Sequence, residues 1–110
     1  MKVDQLTGPA LDWAVQQCEG QLTDIDFAWW WEDYSPSTNW VQAGVIIERE
    51  IITLTHPRWD GWTAHKYDER DEEESYTLDG PTPLIAAMRC YVASVVGAEI
   101  DVPVELTKGE

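Results

Sequence analysis

Apolar positions in this chain repeat with helical period most clearly between Gly80 and Gly97, GPTPLIAAMRCYVASVVG. Leu84, Ala87, Met88, Tyr91, Val92 and Val95 recur at three- and four-residue spacing and share one face. Ile85, Ala86, Cys90, Ala93 and Val96 leave little that is polar elsewhere, and only Arg89 and Ser94 interrupt the apolar surface. A helix apolar nearly all round is covered on more than one side. Thr82 suits an N-cap, Pro83 the first helical position, and Gly97 a left-handed C-cap. The pattern predicts a central helix from Pro83 to Gly97.

A second helical stripe, Leu11, Ala14, Val15 and Cys18, predicts a helix from about Pro9 to Glu19. Gly20 is its expected stop and Asp12 an acid in its first turn. Trp13 points off the stripe, towards a neighbouring loop or a ligand. Residues 21–31, QLTDIDFAWWW, become β-favouring towards their end, with a short helical turn as the alternative. EDYSPSTNW, residues 32–40, reads as a polar loop held between Tyr34 and Trp40. In VQAGVIIEREIITLTH, residues 41–56, the run of Val45, Ile46 and Ile47 predicts a strand, or a short turn leading into one over Ile51–Thr55. HPRWDGW makes a hairpin turn at Asp60-Gly61, and Trp62 to Tyr67 returns as a strand. DERDEEE, residues 68–74, predicts a surface loop, because crowded like charges prefer solvent. Ser75 to Leu78 suits one more short strand. Pro103 demotes EIDVPVEL, residues 99–106, to an edge. The expected fold is α+β: two helices packed on a small, mostly antiparallel sheet of three to four strands, in a single domain spanning residues 1–110.

Composition narrows the functional classes. The chain has 110 residues and 44% hydrophobic content, enough for one core. Twenty-one acids against seven bases leave a net charge of −14, which repels phosphate and argues against nucleic-acid or anionic-membrane binding. It suits a basic partner or mimicry of a polyanion. MKVDQLTG lacks the apolar stretch of a signal peptide, and no run approaches the span of a bilayer, so a cytoplasmic location is expected. Cys18 and Cys90, the only cysteines, read as reduced core thiols.

No catalytic constellation stands out. His56 and His65 lie nine apart across a hairpin without further ligands at metal spacing, so no metal site is expected. No GxSxG or phosphate-binding glycine loop is present. Two features remain. Trp29, Trp30, Trp31, Tyr34, Ser35, Ser37, Thr38, Asn39 and Trp40, with Trp59 and Trp62, combine aromatic faces with small polar groups. Such a set suits stacking and hydrogen bonding to a nucleobase or sugar, and equally suits bulking up a small core. Arg49 and Arg89 lie in apolar settings and need partners. Glu48 or Glu50 is the plain partner for Arg49, and a bound phosphate is the functional one.

LTGPALDWAVQQCEG, YSPSTNW, IIERE and GPTPLIAAMRCYVAS, in this order, resemble the NinX-like family of small bacteriophage accessory proteins. The likeness covers most of the chain and weakens over residues 56–79. It carries over no active-site residues and implies action inside an infected bacterial cell. The expectation is a non-enzymatic protein, without cofactor or metal, that acts by binding. The leading reading is sequestration of a nucleotide-like host defence signal by Trp31, Tyr34, Ser37, Thr38, Asn39, Trp40, Arg49 and Arg89. The alternatives are an acidic nucleic-acid mimic that occupies a host defence protein, and an interaction domain with exposed Trp. Exposed aromatics also permit a homo-oligomer.

Overall fold

The computed structural model describes residues 1–22, 35–56, 61–68 and 71–103. A short 3-10 turn at Val3–Gln5 precedes helix α1, Gly8–Leu22. Helix α2 spans Trp40–Glu50. Strands β1 (Thr53–Thr55), β2 (Trp62–Asp68) and β3 (Asp71–Gly80) follow, and helix α3, Pro83–Val96, comes after them. The strands form an antiparallel sheet in the order β1-β2-β3. The α+β expectation holds, with three helices where two were expected.

Helix α3 occupies the centre, as its pattern predicts. Leu84 and every residue from Ala86 to Ala93 are buried. The helix packs against all three strands and against α1 and α2. The Thr82 hydroxyl accepts the Ile85 N–H at 3.2 Å, and Gly97 closes the helix at φ 92°. Just before the helix, Gly80 lets β3 approach its first turn. A Cβ built on Gly80 would lie 2.6 Å from the Ala86 nitrogen, so no other residue fits without a shift.

The α1 stripe is also as expected: Leu11, Ala14, Val15 and Cys18 are all buried. The helix nevertheless runs through Gly20, which does not stop it. Glycine in a helix interior costs only about 0.5–1 kcal/mol, too little to break a helix anchored by packing. Because α1 begins at Gly8, Asp12 lies beyond the first turn and serves another role, described below. Trp13 is half-buried against the core.

Two further expectations need correction. Trp40–Glu50 is helical, not extended. Gln42, Ala43 and Ile46 face the interior at three- and four-residue spacing, while Val41 and Val45 face solvent. Val41 and Val45 add apolar residues to the outward side, and the β-branched run of Val45, Ile46 and Ile47 imitates a strand. Residues 71–74 are likewise strand, not loop. They extend β3 on one edge of the sheet, with a register irregularity at Tyr67/Asp68. Charge on an edge strand discourages pairing with other chains, which gives crowded acids a place inside a sheet. The proposed strand or turn at 21–31, of which residues 21–22 end α1, the Asp60-Gly61 turn and residues 104–106 lie wholly or partly outside the described residues. Of residues 99–103, only Glu99 bridges, to Lys2.

Candidate functional site

Asn39 organises the polar loop. Its side-chain oxygen accepts the N–H groups of Val41 (2.9 Å) and Gln42 (3.2 Å), which makes it the N-cap of α2. Gln42, three residues on, accepts the Ser35 N–H at 2.7 Å through Oε1. The Thr38 and Asn39 amides both donate to the Ser35 carbonyl. The Ser37 N–H donates to Asp12 at 2.8 Å and ties the loop to α1. Burial pushes the Asp12 carboxyl above its usual range, against the opposing pull of Ser37. The Ser37 hydroxyl is buried without a hydrogen-bond partner of good geometry, although it lies close enough to Asp12 to help lower its pKa. The groups expected to read a ligand's polar edges therefore close a turn and cap a helix. Trp31 and Tyr34 lie outside the described residues.

Arg49 is engaged within the protein. Its Nη1 and Nη2 donate to the two carboxylate oxygens of Glu19 at 3.2 and 2.9 Å, and its Nε donates to Glu50 at 2.8 Å. Nη2 also reaches the Tyr91 hydroxyl at 3.3 Å, and Tyr91 donates to Glu19 at 3.0 Å. Burial acts to lower the Arg49 pKa, but the bonds to Glu19 and Glu50 outweigh it and raise the value, so the guanidinium stays charged. Burial and then Glu19 push the Tyr91 hydroxyl well above its usual range. Lys66 on β2 completes the network at 3.5 Å from Glu50. The pairing of Arg49 with Glu50 was legible in the sequence. Those with Glu19 and Tyr91 were not, because 30 and 42 residues separate the partners.

Arg89 lies elsewhere, far from the α2 loop in its contacts. Its Nε donates to the Leu6 carbonyl and its Nη1 to the Asp79 carbonyl, both at 2.8 Å. Burial lowers its pKa, while Asp4 and Asp79 act to raise it. It lines an open groove of about 500 Å³ together with Asp4, Thr77, Asp79 and Pro81. The structure does not bring Arg49 and Arg89 into one site.

What the structure does assemble near the loop is an apolar outer face on α2. Trp40 is 58% exposed, Val41 75% and Val45 61%. Gly44 and Glu48 lie between them on the helix. Ile51, just beyond the last turn, is exposed as well, at 72%. Its φ of 53° and ψ of 58° place it in the left-handed region, and the Ile52 N–H reaches back to the Ile47 carbonyl at 3.1 Å. That position favours Gly or Asn, and a β-branched residue there is a genuine outlier. The spacing of Val41, Val45 and Glu48 could have revealed this face once a helix was assumed.

Other chemistry is sparse. Cys18 and Cys90 are free and buried, and burial pushes each thiol up to about 12, where it is inert at neutral pH. His65 meets Tyr67 edge-on and lies 2.7 Å from the Thr77 hydroxyl, while His56 packs on Trp62. Among the described residues no cluster of His, Cys, Asp and Glu is suited to a metal ion. No helix among them is long and apolar enough to cross a membrane.

Comparison with curated proteins finds no match. A family model described as Bacteriophage P22, NinX matches residues 2–95, which take in α1, α2, the sheet and α3 up to its last residue, and the chain belongs to this phage family.

Proposed function

We propose that this phage-family protein acts by binding and not by catalysis, and that it docks on a protein of the infected cell through the outer face of α2. One observation carries this reading: Trp40, Val41 and Val45 on one side of α2, and Ile51 just after it, are exposed apolar residues where a helix normally presents polar ones. Trp is enriched among the residues that dominate binding energy at interfaces. Left-handed Ile51 supports the same reading, because strain held in an exposed apolar residue does nothing for the core.

Charge selects the occupant. A second copy would bring −14 against −14, with Glu48 inside the contact. A partner that surrounds an apolar patch with Lys and Arg meets both features of the surface. The leading expectation, capture of a nucleotide-like defence signal, draws less support: Asn39 caps α2, and Arg49 is held by Glu19 and Glu50. The acidic-mimic alternative draws on the overall charge alone.

The test compares tagged wild type with Val45→Glu, both recovered from infected cells. Circular dichroism should show the same fold, because Val45 is exposed. Wild type should retain a basic protein that Val45→Glu loses, and added salt should weaken the purified pair. The reading fails if both versions retain the same proteins. It also fails if wild type self-associates through this face in sedimentation, or if heat releases a bound nucleotide and no partner depends on Val45.

A further inference from the structure

The groove beside Arg89 has a charge arrangement that the docking surface does not use. Arg89 is only 9% exposed. Among the described residues its hydrogen bonds go to neutral backbone carbonyls, those of Leu6 and Asp79. Among the described residues the ion pairs are Arg49 with Glu19 and Glu50, and Lys66 with Glu50, so Arg89 forms none. Its Nη2 has no hydrogen-bond partner among the described residues. Among the described residues the Ser37 hydroxyl oxygen is the one fully buried side-chain atom without a partner, so Nη2 keeps some exposure. A desolvated guanidinium held by neutral groups, with part of its fork open to a groove, is a preorganised site for an oxyanion.

The rim carries the opposite charge. Asp4 and Asp79 line the same groove, and both act on Arg89 electrostatically. Asp79 is fixed by the Thr63 hydroxyl, which donates to it at 2.8 Å. A plain anion would meet Arg89 favourably and these two carboxylates unfavourably. A plain cation would meet the reverse. A molecule with both charges satisfies floor and rim together, and the groove volume of about 500 Å³ holds a small molecule.

We propose that this groove binds a small zwitterion, with its carboxylate on the Arg89 fork and its cationic nitrogen between Asp4 and Asp79. The site is independent of the α2 docking surface. Simple ω-amino acids serve as probes, because they vary the separation of the two charges: glycine, β-alanine and 4-aminobutyrate. Acetate and methylammonium supply each charge alone.

The readout is the Arg89 side-chain Nε–H signal and the backbone amides of Thr77 to Gly80, in the isotope-labelled full chain. At least one zwitterion should shift these signals saturably, with acetate and methylammonium at least about tenfold weaker. Asp4→Asn, an exposed change, should weaken the zwitterion about threefold or more while preserving the fold. Val45→Glu should bind it as wild type does. The proposal fails if no zwitterion shifts these signals at concentrations up to about 50 mM. It also fails if acetate binds equally well and Asp4→Asn strengthens it, which would mark a simple anion site.

Discussion

Glu19 and Arg49 join α1 to α2 through a two-pronged ion pair, with the Tyr91 hydroxyl of α3 hydrogen-bonded to the same carboxylate. The pair is asymmetric: the Glu19 side chain is 3% exposed and that of Arg49 is 38%. Loss of either partner therefore has different consequences. Arg49→Ala strands a buried carboxylate and should cost about 2–3 kcal/mol, below the usual range for broken buried pairs because Arg49 is partly solvated. Glu19→Gln leaves an arginine that can turn to Glu50 and water, and should cost less. Urea melts of the two variants at neutral pH check the order. Equal losses would show that the network is no more than a surface contact.

The α2 cap gives a direct contrast between scaffold and site. Asn39→Ala removes the acceptor for two backbone N–H groups at the start of α2. Stability should fall by about 1 kcal/mol, seen as a lower melting temperature. Asn39→Ser or Asn39→Asp should restore most of it. Partner binding measured on the still-folded fraction should stay close to wild type, since the amide oxygen faces the helix.

Asp12 should make stability depend on pH. Its folded pKa is raised by burial above the ordinary 3.8. The folded state thus favours the protonated form, and the Asp12 contribution to stability is fully present below pH 3.8. It is lost progressively as pH rises through the raised folded value. Asp12→Asn keeps an oxygen for the Ser37 N–H and cannot ionise. It should flatten this part of the profile and leave neutral-pH stability unchanged or slightly higher. Asp12→Ala should instead cost about 1–3 kcal/mol, because it orphans the Ser37 N–H. Chemical denaturation from pH 3 to 8 compares the three proteins.

Ile51 separates stability from function. Glycine accepts the left-handed conformation freely, which removes about 1–2 kcal/mol of strain and returns part of that as unfolded-state entropy. Ile51→Gly should therefore raise stability by about 0.5–1 kcal/mol while weakening the α2-dependent partner. A less stable Ile51→Gly protein in a thermal melt would mean that the isoleucine side chain supports the fold.

The residues of α3 determine that helix almost unaided. Its period, Thr82 cap, Pro83 start and Gly97 stop all lie within one short segment, and its apolar circumference announces burial on every side. The α1 stripe and the β2 strand are legible for the same reason, since local period and burial agree. Helix α2 is not, because the β-branched run of Val45, Ile46 and Ile47 imitates a strand and Val41 and Val45 put apolar residues on the outward side. The resemblance of four ordered motifs to a phage family was also present in the chain and covers these elements.

Tertiary structure decided where the polar groups went. Arg49 could have met a phosphate or an acid, and only the packing of α1 and α2 on the same helix α3 brought Glu19 to it. Arg89 donates across 83 residues to Leu6 and across ten to Asp79, contacts that no local pattern contains. Hydrophobic period acts between neighbours in sequence and is visible there. A buried charge is satisfied by whatever folding brings near, and that depends on the whole chain at once.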